Sequence, residues 1–242
     1  MKAVILGAGQ GKRLLPLTAE VPKALLDIGG RTLIERQIEA FAACGVSDFT
    51  VITGYAAARM EAALAAIAQR TGVTIATLYN PFYAVADNLA SCWMARQAMT
   101  GDFIQVNGDN VFRQDLVARL LAAPAAAVTV AINHKPAYDG DDMKVMMDGP
   151  RLTEIGKALP LEAVDAEAIG FYVFRAEGAA AYVETLEEAM RDPAALKQWF
   201  PSAIGRLAKK LSVMTAAMDA IQWCEVDVPA DLQQARHMVA GW

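Results

Sequence analysis

Ala3-Val-Ile-Leu-Gly-Ala-Gly-Gln-Gly-Lys-Arg-Leu14 is the stretch that decides the fold. An apolar run stops abruptly at Gly7, and glycine returns at positions 9 and 11 just ahead of Lys12 and Arg13. Such a run reads as a buried strand that meets a tight turn, the usual opening of a parallel α/β sheet. Glycines in a turn of this kind let backbone N–H groups approach phosphate oxygens, because no Cβ stands between them. The third glycine comes one position too early for the GxGxxG dinucleotide fingerprint, and GxxxxGK[ST] is missing. Taken alone, the turn does not separate a phosphate site from an ordinary strand end.

Working outward, helical apolar spacing over Thr32 to Cys44 ends at Gly45, and Phe49 to Thr53 reads as the next strand. The alternation continues with a helix over Ala56 to Gln69, a strand at Thr74 to Leu78, a helix over Leu89 to Ala98 and a strand at Phe103 to Asn107. Alternating elements predict an α/β fold of Rossmann-like, three-layer type, with a mostly parallel, mixed central sheet and helices on both faces. After Ala127 the pattern changes. Val128 to Asn133, Lys144 to Met147, Arg151 to Ile155 and Ile169 to Phe174 read as strands with short turns, an antiparallel or mixed extension of the same sheet. Helices over Ala179 to Arg191 and Pro201 to Lys210, a strand at Gln222 to Val226 and a last helix complete the chain. The charge and glycine content of residues 136 to 148 would permit a mobile lid but do not by themselves call for one.

The 242 residues fit one large α/β domain, and 55% hydrophobic with 20% charged residues is a globular balance that excludes disorder. A net charge of -5 argues against broad binding to nucleic acid or anionic membrane, so a bound nucleotide needs local positive charge. Cys44, Cys92 and Cys224 are odd in number, widely spaced and without a CxxC pair, which predicts reduced, partly buried thiols and no structural zinc. No apolar run is long enough for a signal or a membrane span, and the expectation is a soluble, cytoplasmic protein.

Beyond the turn, Pro16-Leu-Thr18 and Val21-Pro-Lys-Ala-Leu-Leu-Asp-Ile-Gly-Gly30 complete a pattern. It resembles the N-terminal signature of the nucleotidyltransferases that activate sugar phosphates and phospho-alcohols: GxGxRL, then PLT, then PKxLL and a glycine pair. The resemblance implies that fold for all of residues 1–242 as a single domain, with a nucleotide-binding half over 1–127 and an acceptor-binding half over 128–242. It also implies that Gly9 and Gly11, with Leu6, Ala8 and Lys12 beside them, hold the nucleotide. Arg13 binds the triphosphate, and Lys23 lies between the α-phosphate and the incoming phosphate. In-line attack at phosphorus develops charge on the non-bridging oxygens, and fixed cations lower that barrier.

Phe103-Ile-Gln-Val-Asn-Gly-Asp-Asn110 delivers Asp109 at the carboxyl end of a strand, where ligands of parallel sheets bind. The family has a strand followed by Gly-Asp there, and the resemblance makes Asp109 a Mg²⁺ ligand. Trp223-Cys-Glu-Val-Asp-Val-Pro229 resembles the segment that supplies the second acidic ligand, assigned to Asp227 with Glu225 in reserve. Two carboxylates plus phosphate oxygens suit Mg²⁺, which takes few protein ligands. Asp231 reads as structural, in the cap region of the last helix.

Asn80-Pro-Phe-Tyr-Ala-Val-Ala-Asp-Asn-Leu-Ala-Ser-Cys-Trp93 resembles the cytidylyltransferase branch that acts on phosphocholine-type substrates. That likeness implies CTP as donor, with Asn80, Asn88 and Ser91 among the nucleotide contacts. A quaternary ammonium is held by aromatic faces and nearby carboxylates. Tyr83, Trp93, Tyr138, Asp142 and Glu167 are the candidates for the acceptor, with Phe82, Trp199, Asp139 and Asp141 as further possibilities. Lys144 and Lys157 can meet an acceptor phosphate or face solvent. Sugar 1-phosphate and inositol 1-phosphate transfer remain open on the same scaffold. A reading of another class is a catalytically silent regulatory subunit, although such a domain would be expected to lose Arg13, Lys23 or Asp109.

Overall fold

The structure is a computed structural model that describes residues 1–175 and 177–242. Its elements in chain order begin β1 (Lys2–Leu6), α1 (Leu33–Ala42), β2 (Asp48–Thr53), α2 (Ala57–Thr71), β3 (Thr74–Tyr79), α3 (Asn88–Ala95) and β4 (Phe103–Asn107). They continue with β5 (Asn110–Phe112), α4 (Gln114–Leu121), β6 (Val128–Asn133), β7 (Lys144–Asp148), β8 (Arg151–Gly156) and β9 (Ala166–Phe174). The chain closes with α5 (Glu177–Ala189), α6 (Pro201–Leu207), β10 (Val213–Ala217), β11 (Trp223–Glu225) and α7 (Pro229–Ala240). The residues form two compact units. One holds Lys2–Ala84, Val106–Ala118 and Ile221–Trp242; the other holds Met1, Val85–Gln105 and Arg119–Ala220.

In the first unit the strand order is β3-β2-β1, all parallel, with Ala3 beside Phe49 and Phe49 beside Ile75. The interior of β1 is wholly buried, which is why its sequence is continuously apolar and not alternating. Helix α1 starts where the Thr32 hydroxyl accepts the Glu35 N–H at 3.3 Å, and it buries Leu33, Ile34, Ile38 and Phe41 at helical spacing. Gly45, at φ 82, ends it in the left-handed region. A second apolar cluster draws on widely separated stretches: Leu14, Leu26, Ile28 and Leu33 pack with Val111, Val226, Leu232 and Val239. Strand β5 of this unit, and helix α4, whose residues are divided between the two units, have no counterpart among the elements expected from sequence. Strand β5 has three residues, too few for a period to register; it pairs with β11, which lies within the strand expected at Gln222 to Val226.

In the second unit the order is β9-β6-β10-β8-β7. Strand β10 runs parallel to β6, while β6 with β9, β10 with β8, and β7 with β8 and β9 are antiparallel, so the sheet here is mixed, as the change of texture after Ala127 predicts. Strand β9 begins at Ala166, earlier than its apolar run suggests, because Glu167 faces Asn133 and Lys144 across the ladders. The sequence Val213-Met-Thr-Ala-Ala217 of β10 carries weak strand propensity and does not by itself predict a strand; its pairing on both edges holds it there. Phe174 stacks on Phe103 at 4.6 Å and on Tyr182 at 4.4 Å to form the aromatic centre of the core.

All three cysteines are free, and burial pushes the Cys92 and Cys224 thiols up to about 12, so they behave as small apolar groups. Among the described residues no helix is long and apolar enough to cross a membrane.

Candidate functional site

The glycine turn is shaped by Lys23. Gly11 has φ +73, and a Cβ placed on it would lie 3.0 Å from the Cβ of Lys23. Both the backbone conformation and the packed lysine stem therefore call for glycine. The Thr18 hydroxyl donates to the Gly11 carbonyl at 2.8 Å and fixes the turn from below. Thr18 is fully buried, and the sequence reading gave it no role although it sits in the Pro16-Leu-Thr18 motif.

Asp109 and Asp227 meet because the short strands β5 and β11 pair, with Asn110 opposite Glu225, and the Val226 N–H donates to the Asp109 carbonyl at 3.0 Å. Gly108 carries the chain past β1: its N–H donates to the Leu6 carbonyl at 3.1 Å, and a Cβ there would stand 2.5 Å from that oxygen. Asp227 is held in turn by Asp231, whose Oδ2 accepts the N–H groups of Asp227 and Val228 at 2.8 Å each. Asp231 thus has the capping role expected of it.

Between the two carboxylates lies the Lys23 ammonium. Lys23 Nζ donates to Asp109 Oδ2 at 2.9 Å and to Asp227 Oδ1, and its side chain is only 11% exposed. Burial works against the charged ammonium, but Asp109 and Asp227 together outweigh it and hold its pKa above the ordinary lysine value. The Arg13 guanidinium reaches Asp227 Oδ2 at 2.7 Å from a side chain that is 53% exposed. A pair that exposed contributes at most about 1 kcal/mol, so arginine can turn to another anion at small cost. Beside it opens a cavity of about 360 Å³ lined by Gln10, Gly11, Lys12, Arg13, Tyr83, Ala84 and Asp227.

The other residues singled out from the sequence are placed as follows. Leu6 ends β1, the Ala8 carbonyl accepts the Tyr55 N–H at 2.9 Å, and Gly9 has open space where a Cβ would stand. Asn80 is fully buried and its Oδ1 accepts the Phe82 N–H at 2.9 Å, shaping the turn before Tyr83. Tyr83, expected at the acceptor, lines the cavity with Arg13. In the second unit Asn88 Oδ1 accepts the Phe200 N–H at 2.8 Å, and Ser91 is buried in α3.

The acceptor candidates of the second unit are gathered around protein cations. Lys135 Nζ bridges Asp142 at 2.6 Å and Glu167 at 3.0 Å, and Asn133 donates to Glu167 at 3.1 Å. Burial pushes the Glu167 pKa up; burial also opposes the Asp142 carboxylate, but its hydrogen bond from Lys135 holds that pKa below the usual range. Lys135 lies 5.8 Å over the Tyr138 ring, Arg96 4.1 Å over Trp93 and Lys157 4.7 Å over Trp199. Lys144, open from sequence to an acceptor phosphate or to solvent, is 1% exposed and donates to the Lys157 carbonyl at 2.6 Å, so it does not face solvent.

The donor set fits a hard divalent cation in one respect: Asp109 Oδ1 is buried and has no hydrogen-bond partner among the described residues. Those residues contain no cluster of three or more His, Cys, Asp or Glu able to hold a metal, so Asp109 and Asp227 would share an ion with oxygens of a bound phosphate.

A glycine turn at the end of β1, two cations and two carboxylates in one α/β unit define a phosphate-handling class of enzyme fold. The chain belongs to the nucleotidyl transferase family, whose profile matches residues 2–240. Over 237 residues it is 28% identical to the bifunctional IPC transferase and DIPP synthase of Aquifex aeolicus, covering 97% of this chain and 50% of that protein. Over 121 residues it is 33% identical to the choline-phosphate cytidylyltransferase of Streptococcus pneumoniae, covering 48% of this chain and 50% of that one. The chain spans about half the length of these curated relatives. The solved structure of the CTP:phosphocholine cytidylyltransferase of S. pneumoniae superposes with a TM-score of 0.78 at 23% identity, covering 98% of each chain, and the shared fold is the three-layer α/β arrangement.

Proposed function

We propose that this chain transfers CMP from CTP to a phosphorylated small alcohol of the phosphocholine type and releases pyrophosphate. The observation that carries the reading is the Lys23 ammonium clamped between Asp109 and Asp227, with Arg13 at the rim of the adjoining cavity. The cytidylyltransferase character of the relatives supports CTP as the donor.

In this reading an oxygen of the acceptor phosphate attacks the α-phosphorus of CTP; the new P–O bond forms as the bond to the bridging α,β-oxygen breaks, and pyrophosphate takes that electron pair. The acceptor phosphate is already ionised at neutral pH and needs no strong base, in keeping with histidines that fall only at positions 134 and 237, outside the sequence motifs. The turn from Gly9 to Gly11 offers its backbone to the phosphates, Arg13 leaves Asp227 to grip the triphosphate, and Lys23 meets the charge that develops at the α-phosphorus. Asp109 and Asp227 would hold Mg²⁺, which when bound neutralises triphosphate charge and orients its oxygens.

A second reading is favoured by one observation. Trp93, Tyr138 and Trp199 each carry a protein cation, and Lys135 already neutralises Asp142 and Glu167. A quaternary ammonium would have to displace such a cation, whereas a hydroxyl-rich sugar or inositol phosphate could hydrogen-bond around it.

The test measures pyrophosphate release with Mg²⁺, each of the four ribonucleoside triphosphates and dTTP, against phosphocholine, phosphoethanolamine, inositol 1-phosphate and glucose 1-phosphate. Turnover with CTP and phosphocholine or phosphoethanolamine, falling at least about 10²-fold in Lys23→Ala, is the expected result. Turnover with inositol or glucose phosphate alone selects the second reading, and turnover unchanged in Lys23→Ala overturns the role of the clamp.

A further inference from the structure

Helix α1 turns one polar side chain into the core of the first unit. Gln37 is fully buried, on the same face as Leu33, Ile34, Ile38 and Phe41, where the helical period calls for an apolar residue. Its single amide nitrogen donates both hydrogens: to the Asn107 carbonyl at 3.0 Å and to the Asn110 carbonyl at 2.7 Å. Those two carbonyls are the end of β4 and the start of β5, and the residues between them are Gly108 and Asp109. The Gln37 oxygen, by contrast, is buried with no donor among the described residues. A leucine would fill the same face without an unpaired amide oxygen, so what distinguishes glutamine here is the pair of hydrogens it supplies.

From these distances we infer that Gln37 is a positioning residue for the reaction: it clamps the turn that presents the Asp109 carboxylate to Lys23. The inference rests on the reading that Asp109 takes part in transfer. Three ties fix the turn. Gly108 is bound to β1 through Leu6, the Asp109 carbonyl accepts from Val226, and Gln37 closes the remaining side from α1. The first two are backbone contacts that no side-chain change removes, so the third is the one that sequence can tune. Without it the carbonyls of Asn107 and Asn110 each lose a buried donor, and the turn is freer to rotate Asp109 away from Lys23 Nζ.

Gln37→Met keeps length and volume and removes both hydrogens; Gln37→Glu keeps the shape and, when ionised, offers none. Ile38→Val, on the same buried helix face, is the comparison for a purely structural loss. In steady-state kinetics with CTP and the acceptor found active, both Gln37 variants are expected to lose kcat on the order of 10²-fold with KM for CTP little changed. Ile38→Val, at matched loss of thermal stability, is expected to keep wild-type kcat. Combined with Asp109→Asn, the Gln37→Met change should cost nothing further, because it acts through that carboxylate. Full additivity, or a Gln37→Met kcat equal to that of Ile38→Val, overturns the inference. Wild-type turnover in Asp109→Asn overturns instead the reading beneath it. Should neither Gln37 variant fold, NMR hydrogen exchange on the wild-type chain decides: the inference expects both Gln37 side-chain amide hydrogens to be protected, and exchange at the rate of a free glutamine amide refutes it.

Discussion

Gly11 is where a single residue carries most of the site's geometry. It holds a left-handed turn at φ +73 and leaves room for the stem of Lys23, whose carbons would lie 3.0–3.2 Å from any added Cβ. Gly11→Ala is therefore expected to cost more than about 1 kcal/mol of stability, seen as a lower melting temperature. Pushing the lysine stem aside should also cost on the order of 10²-fold in pyrophosphate release. A variant with wild-type melting and turnover would show that the turn does not depend on this contact. The glycine pattern was legible in the sequence because a tight turn at a strand end calls for it, but the reason for the third glycine was not. It depends on Lys23, a dozen residues downstream, folding back beneath the turn. Thr18 and Gln37 escaped for the same reason: one hydrogen bond from a buried side chain to a distant carbonyl leaves no periodicity behind.

At the level of elements, the long amphipathic and continuously apolar segments were readable; of the two three-residue strands, β11 falls within the strand expected at Gln222 to Val226, while β5 left no signal. Helix α1 and strands β1 and β2 bury the faces that their sequences predict. Strands β5 and β11 have three residues each, and it is their pairing that joins Asp109 to Asp227. Resemblance to a family could nominate both carboxylates, but only the folded ladder shows what brings them to one ammonium. Helix α7 completes the arrangement from the other side. Because Asp231 Oδ2 accepts the N–H groups of both Asp227 and Val228, losing it frees the start of the helix and the residue that pairs with Lys23 and Arg13. Asp231→Ala is expected to destabilise the chain by about 0.5–2 kcal/mol. It should also lower pyrophosphate release at fixed Mg²⁺, with part of the loss recovered as Mg²⁺ is raised. A loss of stability with no change in the Mg²⁺ response would confine Asp231 to capping.

For the molecule as a whole, the informative quantity is the contrast between net charge and local charge. Under the proposed function, a chain of -5 would bind its triphosphate through a few cations that are otherwise neutralised by their own carboxylates. Arg13 and Lys23 are paired with Asp109 and Asp227, so under the proposed function a triphosphate would compete with two internal anions and would gain little unless a divalent cation occupied the carboxylates as it arrived. The two ligands would then be coupled, each improving the other's affinity by the same factor. Nucleotide at about 100 times its Kd stabilises by about 2.7 kcal/mol, which corresponds to ~5–10 °C for a chain of this length. A thermal melt with CTP and Mg²⁺ together should show that shift, while CTP with EDTA or Mg²⁺ alone should show little of it. In Asp109→Asn the internal competition is weaker. CTP without metal should therefore raise the melting temperature of that variant more than that of the wild type, and an equal response in the two would mean that the carboxylates do not restrain the phosphate-binding cations.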